Sequence, residues 1–280
     1  MSMADINSDS WDFGTDLAGY VWKATNPRAV LLLQHGYGEY AERYVDHYDH
    51  LIPRLLQMGI TVYAFDMRGM GRSPGERAET NVVEAVQDHL RARGVLEAQA
   101  LPFYLYGHSL GGFVTASSVV TSQSGISGVI LSSAAFPGKR SIFLRFAANI
   151  LAFLLPASDA PTSNAKVFAR IPEEVEAAKH DPLIVHRKIT NIVAATVLNQ
   201  EYRNENHYTE WQVPVLVLHG SADTSTSPEN SKDFFEKIPV ADKTLHIVEG
   251  GYHELLNDTD RDATLKVIMD WLEERISLNL

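Results

Sequence analysis

The chain has 280 residues, a formal net charge of −11 at pH 7 and no cysteine. The negative charge argues against binding to nucleic acid or electrostatic binding to anionic lipid, because both carry negative charge themselves. Without cysteine the chain can form neither a disulfide nor a thiolate nucleophile, and its length is enough to bury a large core.

The N-terminus predicts no secretory signal. The first ten residues are polar and acidic, and they lack the basic start and apolar run of such a signal. The most apolar stretch, residues 142–155, is too short to span a bilayer and is interrupted by Arg145 and Asn149. We therefore expect a soluble, cytoplasmic protein.

In chain order, short apolar runs alternate with amphipathic segments. Residues 11–24 predict a hairpin at a sheet edge, and residues 44–56 predict a helix that Pro53 kinks or restarts. Residues 265–276 repeat apolar side chains at helical spacing. The apolar runs predict strands over 29–34, 60–65, 102–107, 128–133, 213–220 and 244–249. This pattern predicts an α/β fold with a mostly parallel central sheet flanked by helices.

One interval, residues 136–207, contains no convincing strand. It includes the apolar run 142–155, a loop rich in Pro, Ser and Asp over 156–164, and a helical stretch over 172–199. We expect it to be a helical insertion into a core formed by residues 1–135 and 208–280.

A glycine-rich turn around Ser109 follows the predicted strand 102–107 and precedes a predicted helix over 110–120. G-x-S-x-G by itself is a weak signal, since glycines and serine often form an ordinary turn after a strand. Between a strand and a helix it predicts a nucleophile elbow, in which Gly107 and Gly111 let the backbone approach closely.

A serine nucleophile needs a general base and an acid that orients the base. Asp223 follows the predicted strand 213–220, and His253 follows the strand 244–249. Taken alone, each is more often an ordinary turn or loop residue. Their order behind an elbow, each after a strand, predicts a Ser109, Asp223 and His253 triad.

The negative oxygen of a tetrahedral intermediate needs preorganised N–H donors. One donor is expected from the backbone of Leu110, directly after the nucleophile. The other is expected from Tyr37, in the loop 35–44 that follows the first long strand. We call residues 35–44 the oxyanion loop. No carboxylate–histidine cluster has good zinc spacing, so we predict no metal.

The oxyanion loop also imitates a dinucleotide-binding fingerprint. Gly36-x-Gly38-x-x-Ala41 follows a strand, and the next strand ends in Asp66. The acidic residue lies 28 positions after Gly38 (66 − 38 = 28) rather than about 20, and it opens a glycine-rich turn over 66–73. We therefore favour a structural turn and predict no cofactor.

Taken together, these segments resemble the monoacylglycerol lipase group of serine α/β hydrolases, over roughly residues 11–276. The matching segments are HGYGEYAERY (35–44), FDMRGMGRSPGER (65–77), YGHSLGG (106–112), HDPLI (180–184), HGSADTSTSPENS (219–231) and YHELLND (252–258). The resemblance implies an α/β-hydrolase fold with the same triad and oxyanion hole, and residues 136–207 as a helical cap over the active site. It also implies that Glu39 binds near the glycerol end of the substrate.

The chain departs from this group at four positions. Tyr37 stands where the group usually has a small residue or leucine. Tyr40, Met67 and Met70 stand where histidines are common. The triad is untouched by these changes, whereas selectivity for the glycerol end of the substrate is put in question.

The resemblance implies a serine hydrolase that cleaves monoacylglycerols to fatty acid and glycerol through an acyl-enzyme. A lysophospholipase, a general carboxylesterase or an acyltransferase would use the same triad, and a ligand receptor could keep the fold without turnover. The expected partners are a small lipid ester and, through the cap, a transient membrane or micelle contact, but no nucleic acid; the oligomeric state stays open. The run 142–155 is either buried within the cap or a surface helix that enters lipid.

Overall fold

A mostly parallel sheet forms the centre of the computed structural model, which describes residues 6–161 and 167–278. In this part of the chain the sheet has eight strands in the order β1-β2-β4-β3-β5-β6-β7-β8. Strand β2 runs antiparallel to β1 and β4, and all other neighbours are parallel. The strands are β1 (Asp9–Ser10), β2 (Gly19–Trp22), β3 (Ala29–Gln34), β4 (Ile60–Phe65), β5 (Phe103–His108), β6 (Gly128–Ser132), β7 (Val215–Gly220) and β8 (Lys243–Val248).

Helices connect the parallel strands. They are α1 (Arg43–Asp46), α2 (Leu51–Gln57), α3 (Val82–Leu96), α4 (Ser109–Thr121), α5 (Ile142–Leu154), α6 (Pro172–His180), α7 (Asn191–Asn204), α8 (Pro228–Lys237) and α9 (Arg261–Leu278). Short 3₁₀ turns cover Tyr48–His50, Tyr208–Glu210 and Leu255–Asn257.

The two faces of the sheet bury separate apolar cores, because successive side chains of a strand point to opposite faces. In β3, Val30 and Leu32 join the core on the side of α3, α4 and α8, whereas Leu31 and Leu33 join the core on the side of α2 and α9. This double coverage explains why the strands are apolar at nearly every position.

The predicted strands are confirmed, with ends that differ by at most two residues. A hairpin at the sheet edge is present, as expected, but only β2 lies within the predicted range 11–24, because β1 covers Asp9–Ser10. The predicted helix over 44–56 is divided into α1 and α2 by residues 48–50, which have left-handed backbone angles. Pro53 lies in the first turn of α2, where its missing N–H costs no helical hydrogen bond.

Residues 136–207, which we call the insertion, contribute α5, α6 and α7 between β6 and β7. The helical stretch expected over 172–199 is interrupted, because α6 ends at His180 and α7 begins at Asn191. A proline disfavours helical backbone angles in the residue before it. Asp181 precedes Pro182, so the helix ends before Asp181. The loop predicted over 156–164 lies partly outside the described residues.

Helix α5 coincides with the apolar run of the sequence but is not a core helix. Ala152 is its buried residue, while the side chains of Phe143 and Phe153 are 82% and 85% exposed. Within residues 6–161 and 167–278, no helix is long and apolar enough to cross a membrane.

Candidate active site

The predicted site residues meet at the carboxyl edge of the parallel sheet. The oxyanion loop follows β3, Ser109 follows β5, Asp223 follows β7 and His253 follows β8. Because these strands are parallel, their carboxyl ends lie along the same edge, which is where open α/β sheets form their binding crevices.

Ser109 occupies a sharp turn between β5 and α4. Its backbone φ is +53°, a left-handed value that a non-glycine residue rarely adopts. The surrounding glycines make this turn possible: a Cβ on Gly107 would stand 2.5 Å from the Thr115 hydroxyl, and one on Gly111 would stand 2.2 Å from the His35 carbonyl oxygen. The turn therefore has the strained strand-to-helix geometry of a nucleophile elbow.

Ser109, His253 and Asp223 form a continuous chain of hydrogen bonds. The Ser109 Oγ lies 2.9 Å from His253 Nε2, and His253 Nδ1 lies 2.7 Å from Asp223 Oδ2. Residues that are 144 and 30 positions apart in sequence are thus brought into direct contact. A serine hydroxyl in this position can donate its proton to the imidazole, while the carboxylate orients the ring.

The Asp223 carboxylate is held by several donors besides His253. Its Oδ1 accepts from the backbone N–H of Ser225 at 2.7 Å and of Thr226 at 3.1 Å. Its Oδ2 also accepts from the Thr226 hydroxyl at 2.8 Å and lies 3.1 Å from His219 Nε2. The other nitrogen of His219 contacts the buried Ser231 hydroxyl at 2.8 Å. These contacts fix both the position of the carboxylate and the direction in which it faces His253.

Electrostatics favour a negative Asp223 beside a basic His253. Burial alone would raise the pKa of Asp223, but the neighbouring His253 and His219 lower it well below its usual range. Burial alone would lower the pKa of His253, and the Asp223 carboxylate outweighs this effect and raises it above 6.5. A negative Asp223 in this position favours the protonated form of His253.

A second buried histidine, His108, lies directly before the serine. Its ring centroid is 4.9 Å from that of His253. Burial, together with the positive charge that His253 can carry, lowers the pKa of His108 to about 4. His108 is therefore neutral near pH 7 and adds no positive charge beside the His253 imidazole.

The oxyanion loop passes close to Ser109. A Cβ on Gly36 would stand 3.1 Å from the Ser109 Cβ and 3.2 Å from the His108 ring, so only glycine fits here without displacing them. His35 connects the loop to the residues after β4. Its Nε2 accepts from the Met67 N–H at 2.9 Å, and its Nδ1 contacts the Gly36 carbonyl oxygen at 2.8 Å. The peptide that follows Gly36, with the N–H of Tyr37, lies in this part of the loop.

Glu39 is buried, and both of its oxygens are hydrogen-bonded within the protein. Its Oε1 accepts from the Gly36 N–H at 2.6 Å and from the Tyr44 hydroxyl at 2.9 Å. Its Oε2 accepts from the Tyr48 hydroxyl at 2.8 Å and from the Arg43 guanidinium at 3.1 Å. These contacts are those of a residue that holds the oxyanion loop in shape. The glycerol contact implied by the resemblance stays a prediction.

Arg43 connects the oxyanion loop with the loop that carries His253. Its guanidinium contacts Glu39 on one side and both carboxylate oxygens of Glu254 on the other, at 3.2 and 3.3 Å. Burial opposes the charge on Glu254, but Arg43 outweighs it, and the pKa of Glu254 is lowered. Two carboxylates thus share one buried cation directly behind the triad.

Asp66 holds a structural turn, as expected from the spacing after Gly38. Its carboxylate accepts from the Ala41 and Arg72 backbone N–H groups, each at 2.8 Å, and from the Tyr20 hydroxyl at 2.9 Å. The space in front of it is filled by Gly71, where an added Cβ would stand 2.1 Å from the carboxylate. These contacts occupy the carboxylate that the dinucleotide interpretation would assign to a ribose.

The insertion also reaches the site. The ring of Phe168 is 46% exposed and lies 5.8 Å from the His253 ring, and its carbonyl oxygen accepts from the Glu254 N–H at 2.8 Å. Among the described residues, no cluster of three His, Cys, Asp or Glu side chains could hold a metal ion.

Comparison with known proteins agrees with this geometry. The Hydrolase_4 family, described as serine aminopeptidase, S33, matches residues 25–260. The chain is 31% identical to the monoglyceride lipase of Rattus norvegicus, over 92% of this chain and 86% of that protein. It is 30% identical to the monoacylglycerol lipase of Mycolicibacterium smegmatis, over 90% of this chain and 91% of that protein. The chain belongs to the monoacylglycerol lipase group of the serine α/β hydrolases.

A solved structure of this group has the same fold. The monoacylglycerol lipase of Paleococcus ferrophilus superimposes with a TM-score of 0.81 at 32% identity, covering 93% of this chain and all of that one. The predicted family and the predicted α/β-hydrolase fold are thus confirmed.

Two residues that were not predicted from the sequence also lie at the candidate site: His219 contacts Asp223, and Phe168 lies beside His253. A signal for His219 was present, because it lies near the end of β7, the strand that Asp223 follows, and four positions before Asp223. Phe168 had no such signal, since only the path of the insertion brings it to His253.

Proposed function

We propose that the protein is a carboxylic ester hydrolase that cleaves monoacylglycerols into fatty acid and glycerol through an acyl-enzyme on Ser109. The observation that carries the proposal is the chain of hydrogen bonds from Ser109 through His253 to Asp223. The names of the relatives favour a monoacylglycerol among possible esters.

In the proposed reaction, Ser109 Oγ attacks the ester carbonyl carbon while His253 Nε2 takes its proton. Asp223 stabilises the resulting imidazolium. The carbonyl oxygen becomes an oxyanion, which accepts from the backbone N–H groups of Tyr37 and Leu110. The N–H of Leu110 suits this role because it lies in the first turn of α4, where N–H groups lack helical partners.

The intermediate then collapses, and the C–O bond to glycerol breaks. His253 returns the proton to the glycerol oxygen as it leaves, and Ser109 retains the acyl group. A water molecule next attacks the acyl carbon, with His253 again acting as the base. The fatty acid is released and the Ser109 hydroxyl is restored.

The insertion is proposed to act as a cap over the active site and to contact a membrane or micelle that contains the substrate. The polar residues of α5 face α7: the side chains of Asn149 and Asn199 exchange two hydrogen bonds, and the guanidinium of Arg145 lies 3.7 Å from the centroid of the Tyr202 ring. The apolar side of α5, including Phe143 and Phe153, consequently faces outward. An exposed apolar face of this kind suits shallow contact with a membrane or micelle.

Replacement of the nucleophile tests the proposal. Ser109→Ala should remain folded, because Ala removes one oxygen and adds no atom to the strained turn. Hydrolysis of monoacylglycerol should fall by orders of magnitude, and a fluorophosphonate probe should no longer label the protein. Ser221→Ala provides the control. Ser221 is an exposed serine directly after β7, and its hydroxyl accepts from the Gly250 N–H. Labelling that persists in Ser109→Ala would show that another residue is the nucleophile.

A further inference from the structure

Residues 181–190 of the insertion, which we call the bridging segment, lie between α6 and α7 and contact the oxyanion loop. The N–H of Val185 donates to the carbonyl oxygen of Gly38 at 2.7 Å. Gly38 has a φ of +82°, and an added Cβ would stand 3.1 Å from the Val185 carbonyl oxygen. The backbones of Val185 and Gly38 are thus in direct contact, next to the peptide group of Tyr37.

The Tyr37 side chain makes a second contact with the bridging segment. Its hydroxyl lies 3.1 Å from the carbonyl oxygen of Lys188 and 3.3 Å from that of Ala78, in the core. A tyrosine hydroxyl is protonated and can donate at neutral pH, and burial raises the pKa of Tyr37 further, to about 12. Tyr37 therefore lies between the insertion and the core, with its own N–H in the oxyanion loop.

Tyr40 makes the third contact. Its hydroxyl donates to Asp181 Oδ2 at 2.8 Å, and Asp181 Oδ1 accepts from the Leu183 N–H at 2.8 Å. The Asp181 carboxylate thus accepts from the oxyanion loop with one oxygen and from the bridging segment with the other.

The bridging segment is itself bound to the core, so it can act as a fixed support. The buried hydroxyl of Thr190 donates to the Ala78 carbonyl oxygen at 3.2 Å, and the guanidinium of Arg77 donates to the carbonyl oxygen of Leu183. These contacts involve neither α5 nor its exposed face.

The oxyanion loop needs such a support because Gly36 and Gly38 flank Tyr37. Glycine can adopt many backbone angles, and the direction of the Tyr37 N–H depends on those angles. Glu39 restrains the loop from the core side through the Gly36 N–H. Val185, Lys188 and Asp181 restrain it from the opposite side.

We propose that Tyr37 and Tyr40 are positioning residues, through which the insertion sets the geometry of the oxyanion hole. The inference rests on the proposed function, since it assumes that the Tyr37 N–H stabilises an oxyanion. A donor that is displaced by a fraction of an ångström stabilises the transition state less while substrate binding is unchanged. The insertion would then contribute to the chemical step as well as to substrate access.

Tyr37→Phe and Tyr40→Phe each remove one oxygen and test this role. The substrate is a water-soluble nitrophenyl butyrate, which needs no lipid interface. We expect kcat to fall about three- to tenfold in each variant with KM unchanged, as for the loss of one hydrogen bond. The inhibition constant of a trifluoromethyl ketone should rise by the same factor, because its adduct with Ser109 places an oxyanion in the hole. Tyr63→Phe is the control, since its hydroxyl contacts Gln99 away from the site.

A double-mutant cycle with Asp181→Ala tests the pathway from the insertion. Ala removes the acceptor for the Tyr40 hydroxyl and offers no donor in its place, whereas the amide of Asn can donate to the Tyr40 oxygen. Asp181→Ala should therefore lower kcat at least as much as Tyr40→Phe does, and the double variant should lose no more than Asp181→Ala alone. This arm also keeps the proposal testable if Tyr40→Phe fails to fold.

Two results would overturn the inference. In one, the Tyr37 and Tyr40 variants match Tyr63→Phe in kcat and in ketone affinity. In the other, KM rises while kcat is unchanged, so that the segment shapes only the substrate cleft. Both are distinct from failure of the proposed function, in which Ser109→Ala would still hydrolyse the ester.

Discussion

At the scale of single residues, the Asp223 carboxylate sets the properties of His253. It is buried and lies between two imidazoles, with His253 Nδ1 at 2.7 Å and His219 Nε2 at 3.1 Å. His253 is also near Glu254 and Glu39, whose charges raise its pKa further, while burial opposes these effects. The balance makes His253 a stronger base than a free histidine.

This balance predicts the pH dependence of activity. In the proposed mechanism His253 must be neutral to accept the Ser109 proton, so activity should rise as pH passes upward through its pKa. Because that pKa is raised, the acid limb of kcat/KM should lie above histidine's ordinary value of about 6.5. Asp223→Asn should move the limb to lower pH and reduce kcat about 10⁴-fold. An acid limb below 6 in the parent enzyme would contradict the assignment of His253.

Glu39 provides a second prediction at this scale. Because its oxygens bind Gly36, Arg43, Tyr44 and Tyr48, Glu39→Gln should disturb the oxyanion loop rather than a glycerol subsite. We expect turnover of monoacylglycerol and of nitrophenyl butyrate to fall by the same factor, about 10- to 100-fold. Glu229→Gln, on the exposed start of α8, should change neither rate. A loss confined to monoacylglycerol would instead support the glycerol contact that the family resemblance implies.

At the scale of elements, α5 has its polar and apolar sides reversed relative to an ordinary surface helix. Arg145 and Asn149 face α7, and the aromatic side chains face outward. The net charge of −11 gives the protein no electrostatic attraction to anionic lipid. Contact with a lipid surface would therefore depend on this apolar face.

Substitution on α5 tests that dependence. Phe153→Asp and Leu154→Asp place a charge on side chains that are 85% and 63% exposed. Each should oppose partitioning by about 1–3 kcal/mol and slow hydrolysis of long-chain monoacylglycerol in vesicles about 5- to 100-fold. Hydrolysis of nitrophenyl butyrate should be unchanged. Val95→Asp is the matched control, because Val95 is an exposed apolar residue on α3, outside the insertion. An unchanged ratio of the two rates in both α5 variants would exclude the interfacial role.

At the scale of the whole molecule, Arg43 joins two loops whose contacting residues are 211 positions apart in the chain. The guanidinium is buried between Glu39 and Glu254. Breaking such a cluster is costly because it leaves uncompensated charge in the interior, even though a complete buried ion pair adds little stability by itself.

Arg43→Met should accordingly lower the free energy of unfolding by about 3–5 kcal/mol at pH 7, measured by urea denaturation. Arg43 lowers the pKa of Glu254, so its stabilising effect is present above the ordinary glutamate pKa and is lost as pH falls through the lowered one. The difference between variant and parent should therefore shrink under acid conditions. Arg91→Met should cost no more than about 1 kcal/mol, because the Arg91 side chain is exposed and its partner Asp88 keeps an ion pair with Arg68. A similar loss for both variants would contradict the role of Arg43.

Local patterns in the sequence were enough to predict the strands and the order of the triad residues. Strands buried on both faces must be apolar at consecutive positions, and their ends are marked by turn residues, so β3 to β7 were visible in the sequence. Ser109, Asp223 and His253 each follow a predicted strand, and parallel strands bring their carboxyl ends to one edge. The position of the three residues at one edge of the sheet therefore followed from the topology.

Other features depended on tertiary contacts that no local pattern encodes. The apolar run 142–155 is compatible with a core helix or a surface helix, and only the packing of Arg145 and Asn149 against α7 turns its apolar side outward. Glu39 has the same sequence neighbours whether it binds glycerol or the protein, and only the folded chain shows that Arg43, Tyr44 and Tyr48 donate to its oxygens. His219 and the bridging segment reach the site through side chains and backbone that meet only in the folded chain. Hydrophobic periodicity records which side of an element is apolar, whereas a hydrogen bond requires two groups to meet, and chain folding alone brings distant groups together.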